Sequence, residues 1–119
     1  YLNASDIGII IREKNITNKV ANPVKVLEYI ACGLFTILTE GIGDISEFIK
    51  EEKIGELGEM ETEKEMKTMA KKVLTNIREI QDEKNKARIS QIACSKYSWE
   101  NLIPIIFKGY SICFRQGDK

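Results

Sequence analysis

The chain is 119 residues long, with 18 basic and 18 acidic side chains and a formal net charge of zero. That length builds one domain or part of one, and a zero balance offers no whole-chain field to hold nucleic acid or an anionic membrane. With no histidine in the sequence, no Ser-His-Asp or Cys-His machinery is complete within the chain, and histidine metal sites are excluded.

Hydrophobic residues make up 43% and charged residues 30%, which is ordinary globular usage and not that of a disordered, collagen-like or coiled-coil chain. The longest apolar runs, Ile7–Ile11 and Leu102–Phe107, fall far short of the ~20 residues of a membrane span. No signal peptide is visible at Tyr1-Leu2-Asn3. Cys32, Cys94 and Cys113 are odd in number and widely spaced. They read as reduced, mostly buried thiols of a cytoplasmic protein, not as a disulfide framework or zinc site.

In chain order, the β-branched run Ile7–Ile11 is too short for a helix and reads as a strand buried on both faces, the parallel-sheet pattern. Arg12–Ala21 is polar and predicts a loop of the length that often carries function. Asn22-Pro23 predicts a helix start, with Asn as N-cap and Pro in the first helical position. That helix runs to about Cys32, and Gly33 ends it. Phe35–Leu38 predicts a second strand and Thr39–Asp44 a glycine-rich turn. A short helix over 45–52 and a peripheral strand over 53–57 follow.

Beyond residue 60 the period becomes helical. Met66, Met69, Ala70, Val73, Leu74, Ile77 and Ile80 share one face, so a single amphipathic helix is expected over 62–80, with Met66 and Met69 in the core. A second is expected over 82–96. The last begins at Trp99, capped by Ser98, with Trp99 as its packed anchor. Pro104 lies too deep for a first turn and predicts a kink or restart. The tail 115–119 is expected to fray.

Strands alternating with helices predict an α/β fold with right-handed crossovers and a short parallel sheet of two or three strands, followed by a helix-rich C-terminal half. Two or three strands do not complete a doubly wound domain. The simplest expectation is the C-terminal part of a longer α/β protein.

The helix over 22–32 carries the most chemistry. Val24, Val26, Leu27, Ile30 and Ala31 fall on one broad face. Lys25, Glu28, Tyr29 and Cys32 fall on the other, with Lys25 and Glu28 one turn apart. Open α/β sheets bind ligands beyond the carboxyl ends of their strands, and a helix start attracts phosphate. Lys25 in the first turn opposes the macrodipole unless an anion sits there, and Glu28 is placed to accept from vicinal hydroxyls. Together they make a reader of phosphate and sugar. On spacing alone, an ordinary surface pair worth a few tenths of a kcal/mol is the leading reading.

Other candidates are weaker. Arg12 ends a strand and reads as a solvated loop residue that can also face phosphate. Gly41 and Gly43 read first as a plain strand-to-helix turn and second as an anion cradle. Asp6 reads as a local cap. Lys64, Lys67, Lys71 and Lys72 form a solvated face interleaved with glutamates.

The stretch Asn22-Pro-Val-Lys-Val-Leu-Glu-Tyr-Ile-Ala-Cys-Gly-Leu34, with Phe35-Thr-Ile-Leu and Gly41-Ile-Gly-Asp behind it, resembles the donor-binding half of GT-B glycosyltransferases. Within these it is most similar to the large "group 1" family, glycosyltransferase family 4. Ser5-Asp6-Ile7-Gly8-Ile9 and Tyr97-Ser98-Trp99-Glu100 fit the same pattern, so the resemblance spans nearly the whole chain. It implies a partial Rossmann-like fold, the C-terminal domain of GT-B, over residues 1–119. It implies that Glu28 matches the second glutamate of the family's Glu-x7-Glu motif, which holds the donor ribose. The first glutamate falls at Val20, a departure that leaves sugar recognition by the usual carboxylate open. Asn22, Pro23, Val24 and Lys25 match the place where backbone amides meet the donor diphosphate. The final helix, 98–114, would brace an N-terminal acceptor domain.

The function this implies is transfer of a sugar from a nucleoside diphosphate sugar to a hydroxyl acceptor, in polysaccharide or glycolipid synthesis. The longer parent would be the active enzyme, with retention at the anomeric carbon and no required metal or other cofactor. The partners implied are the nucleotide-sugar donor and the N-terminal domain. Peripheral membrane contact and a homodimer through an open sheet edge are both compatible with the sequence. Alternatives are a non-catalytic nucleotide-sugar-binding or oligomerising scaffold and a GT-B-like sugar-nucleotide epimerase. A receiver-type signalling domain is disfavoured, because Asp6 stands without an acidic cluster.

Overall fold

The computed structural model describes residues 2–21 and 23–116, with side chains described as far as residue 112. After a 3-10 turn at Leu2–Ala4, the elements are β1 (Ile7–Ile10), α1 (Ile16–Lys19), α2 (Val24–Ala31), β2 (Phe35–Thr39), α3 (Gly43–Glu52) and β3 (Gly55–Gly58). Four helices follow: α4 (Glu63–Thr75), α5 (Ile77–Ile80), α6 (Glu83–Tyr97) and α7 (Trp99–Gln116). The fold is α/β, with a three-stranded parallel sheet in the order β1-β2-β3. Ile10 pairs with Leu38, and Leu38 with Leu57.

Alternation along β2 sends neighbouring side chains to opposite faces of the sheet. Leu38 enters a core with Val26 and Ile30 of α2, Ile45, Phe48 and Ile49 of α3, and Ile89 and Ala93 of α6. Ile37 enters a second core with Met60, Met69, Val73 and Ile80. Helices thus cover both faces of the central strand.

β1 departs from the doubly buried strand expected of its isoleucines, because Ile9 is 55% exposed and Ile11 is exposed as well. The second core draws in Ile7 and Phe35 and does not include Ile9. Among the described residues, the outer edge of β1 has no pairing strand.

Residues 12–21 are not a uniform loop. Asn15 caps the short helix α1, its side chain accepting from the Asn18 N–H at 2.8 Å. Pro23 occupies the cap position of α2 and not its first helical position. Asn22, expected as the cap, lies outside the described residues. The expected break after Cys32 is present: Cys32 is the C-cap and Gly33 takes a left-handed φ of 78°.

The single helix expected over 62–80 is two helices. Thr62 and Glu65 form a capping box at the start of α4. Asn76 ends α4 by turning its N–H onto the Val73 carbonyl, and its side-chain amide bonds the Lys72 carbonyl at 3.3 Å. The break lets Ile80 bury, while Met66 and Leu74 stay exposed. Met66 is therefore not core. The lysines of α4 are exposed as expected, with Lys67 paired to Glu63.

α7 continues through Pro104 as one helix, without a restart. Ser98 is the C-cap of α6, and its carbonyl accepts from Asn101 and Leu102 N–H. Trp99 does not anchor the helix, being 70% exposed. Ile103, Ile105, Ile106, Phe107 and Tyr110 are exposed too. The helix extends through Gln116, and the rest of the expected frayed tail lies outside the described residues. No described helix is long and apolar enough to cross a membrane. Cys32 is half-buried and Cys94 exposed, which corrects the expectation of buried thiols, and the Cys113 side chain lies outside the described set.

Asp6 is not a local cap. Its carboxylate pairs with the Lys86 ammonium at 2.6 Å and accepts from the Gln81 amide at 3.3 Å, tying α6 to the amino end of β1. The bond from Lys86, then that from Gln81, holds the Asp6 carboxyl below its ordinary value of 3.8. Donating the same bond to Asp6 raises the Lys86 ammonium above 10.5. A carboxyl lowered on folding adds stability above its unfolded value and loses it as pH falls through the folded one. A raised ammonium adds stability below its unfolded value and loses it as pH rises through the folded one. Asp6→Asn should therefore lower Tm by a constant amount between these limits. The gap to the parent should close as pH falls through and below 3.8. Thermal melts across pH check this, and a gap that stays open at the acid limit contradicts it.

Candidate functional site

The crossover order places the site. β1 leads through α1 to α2, and α2 ends at Ala31, next to the amino end of β2. A helix of eight residues is ~12 Å long, so its start lies back toward the carboxyl ends of the strands. The Arg12 N–H donates to the buried Thr39 Oγ1 at 3.0 Å, closing β1 onto β2 at that end. Gly43 opens α3 there with a left-handed φ of 50°. A Cβ on Gly43 would lie 2.2 Å from the Ala21 carbonyl oxygen, so the segment before α2 rests directly on the start of α3. Two helix starts therefore meet beyond the carboxyl end of β2.

On α2, Val26 and Ile30 are fully buried and Leu27 is half-buried. Lys25 and Glu28 are both exposed, one turn apart, as their spacing predicted. Three assignments on this helix change. Val24 is 67% exposed and Ala31 is exposed, whereas Tyr29 turns inward and is half-buried. The buried sector is centred between Val26, Ile30 and Leu27, which places position 24 outside it and position 29 on its flank. Pro23 is buried and contributes no side-chain cap.

The structure thus brings Val24, Lys25 and Glu28 onto the exposed side of one short helix, with buried Pro23 as its cap. The Arg12 guanidinium turns instead to Asn18, donating to its Oδ1 at 3.2 Å. Asn18 in turn donates to the Glu13 carbonyl at 2.8 Å. Val20, the C-cap of α1, is 82% exposed.

The start of α3 is a tight turn closed by its own side chain. The Ile42 N–H donates to Ser46 Oγ, whose hydroxyl donates back to the Ile42 carbonyl. Asp44 stands in the first turn and meets the positive end of the helix. A cavity of about 390 Å³ there is lined by charges of both signs, Glu40, Asp44 and Glu47 with Lys19 and Lys50. A cavity of about 430 Å³ lies along β3 against Asn76, Glu79 and Ile80. Lys25 and Glu28 line neither, so their face of α2 is an open shelf.

One contact over the crevice was not foreseen. Lys14 pairs with Glu59, carrying the loop after β1 across to the end of β3. Donation to Glu59, with Glu40 and Glu61 nearby, raises the Lys14 ammonium above its ordinary value. The residues lie 45 positions apart, and no local pattern signals such a pairing. The Asn15 cap, by contrast, was open to a reading of Asn15-x-x-Asn18 as a helix start.

Searches against protein-family models, curated proteins and solved structures find no match to this chain.

Proposed function

We propose that this chain is the donor-binding part of a GT-B glycosyltransferase of the family 4 type, with a Rossmann-like sheet. Its parent would transfer a sugar from a nucleoside diphosphate sugar to a hydroxyl acceptor in the cytoplasm, in polysaccharide or glycolipid synthesis. The observation that carries the proposal is the exposed Lys25–Glu28 pair on a helix that starts beyond the carboxyl end of a parallel sheet. Lys25 and the α2 start would meet the diphosphate, where a cation and helix amides offset the charge that builds on the leaving group. Glu28 would accept from the ribose hydroxyls. Arg12 would join only by leaving Asn18. Val20, apolar where the family has its first glutamate, would leave the sugar to be read by other groups.

The exposed apolar side chains of α7 support the reading that 98–114 packs on an acceptor domain, since exposed patches of this kind mark interaction surfaces. A second reading, an oligomerising module that pairs through its sheet edge, draws on the open β1 edge and its exposed Ile9.

Glu28→Ala tests the central reading. A hydrogen bond to a charged group contributes about 1.5–3 kcal/mol, so nucleotide affinity should fall ~10- to 100-fold. The loss should appear by calorimetry with UDP, GDP or ADP, whichever binds the parent. Unchanged affinity in Glu28→Ala contradicts it.

A further inference from the structure

We infer that Gly8 and Tyr29 form a positioning contact that sets the height of α2 on the sheet and so places Lys25 and Glu28. This rests on the donor-site reading of those two residues.

Gly8 is buried in the middle of β1, within a run of isoleucines. Glycine weakens a strand interior and often marks the close approach of another group. Here the approaching group is the Tyr29 ring. A Cβ on Gly8 would lie 2.3 Å from Tyr29 Cδ2, 2.6 Å from Cγ and 2.9 Å from Cε2. The ring therefore fills the space in which any other residue would carry its side chain.

α2 has two sets of anchors. Val26 and Ile30 enter the core shared with α3 and α6. Tyr29 reaches the strand on the flank. Lys25 lies one turn before Tyr29 on that flank and Glu28 adjoins it in sequence. Ordinary contact begins near 3.4 Å, so a methyl at position 8 needs the ring to retreat by about 1 Å. Val26 and Ile30 hold the other side of an eight-residue helix, so the helix tilts and carries Lys25 and Glu28 with it. Misplacement by ~1 Å is enough to cost a site ~10²-fold in function.

Backbone amide NMR with UDP, GDP and ADP titrations, on the unsubstituted chain, Gly8→Ala and Gly8→Ala/Tyr29→Ala, tests the contact. Gly8→Ala should move the Lys25–Glu28 amides of the free protein and weaken nucleotide binding at least ~10-fold. The double variant, whose alanine at position 29 removes Cγ and the whole ring from beside the new methyl, should return both toward the unsubstituted chain. A general loss of stability does not produce that rescue. If Gly8→Ala does not fold, recovery of fold and binding in the double variant supports the contact, and failure to recover overturns it. Unmoved amides or parent-like affinity in Gly8→Ala also overturn it. If the parent binds none of the three nucleotides, the donor reading fails, and the amide comparison still decides the contact.

Discussion

Leu38→Ala is expected to cost about 2–5 kcal/mol of folding stability, the range for emptying a well-packed leucine site. Leu38 is fully buried on the central strand, between Ile10 and Leu57. Its cluster joins α2, α3 and α6 to the sheet. The backbone around it cannot close the gap by collapse, because β2 is hydrogen-bonded on both edges. A small domain holds ~5–15 kcal/mol in total, so the loss is a large fraction. Urea unfolding should show a lower midpoint with an unchanged slope. A loss below about 1 kcal/mol contradicts the placement of Leu38 at the centre of the fold.

Gly43→Ala is the second large effect, and it separates two causes. The residue sits at φ 50°, where a side chain costs of order 1–3 kcal/mol. Its new methyl would also meet the Ala21 carbonyl oxygen. Relief of that clash pushes the segment before α2 away from the start of α3. Gly41→Ala is the matched control: φ there is 82°, yet nothing lies within 4 Å of its Cβ position. Gly41→Ala should lose stability alone, while Gly43→Ala should lose more stability and also weaken nucleotide binding ~10-fold, as for a misplaced site. Equal losses in the two variants, with binding unaffected, contradict the coupling of the two helix starts.

Much of this architecture is legible in the sequence because local rules govern it. Ile7–Ile11 and Phe35–Leu38 are short β-branched or apolar runs, and both contain strands. The Asn22-Pro23 signal falls within a residue or so of the observed start of α2. The three-residue step from Lys25 to Glu28 puts both on the exposed face. What was not legible depends on the partner and not on the period. Helical spacing sets Tyr29 beside Glu28, but the bare Cα of Gly8 draws the ring inward. Met66 and Leu74 share a period with Met69 and Val73, yet the sheet is too narrow to cover them all. Trp99 has the size of an anchor, yet among the described residues it stays 70% exposed. Asp6 and Lys86 meet across 80 positions, a distance that only the folded topology bridges.

The central claim is that the start of α2 receives a nucleoside diphosphate. The most direct measurement is amide NMR mapping of the 119-residue chain with UDP, GDP and ADP in turn. The account predicts saturable shifts with one of them, centred on the amides of 24–28 and reached only at ~10- to 100-fold higher nucleotide concentration in Glu28→Ala. A folded chain whose amides stay unmoved with all three, or move instead around the cavity beside Glu40 and Asp44, would contradict it.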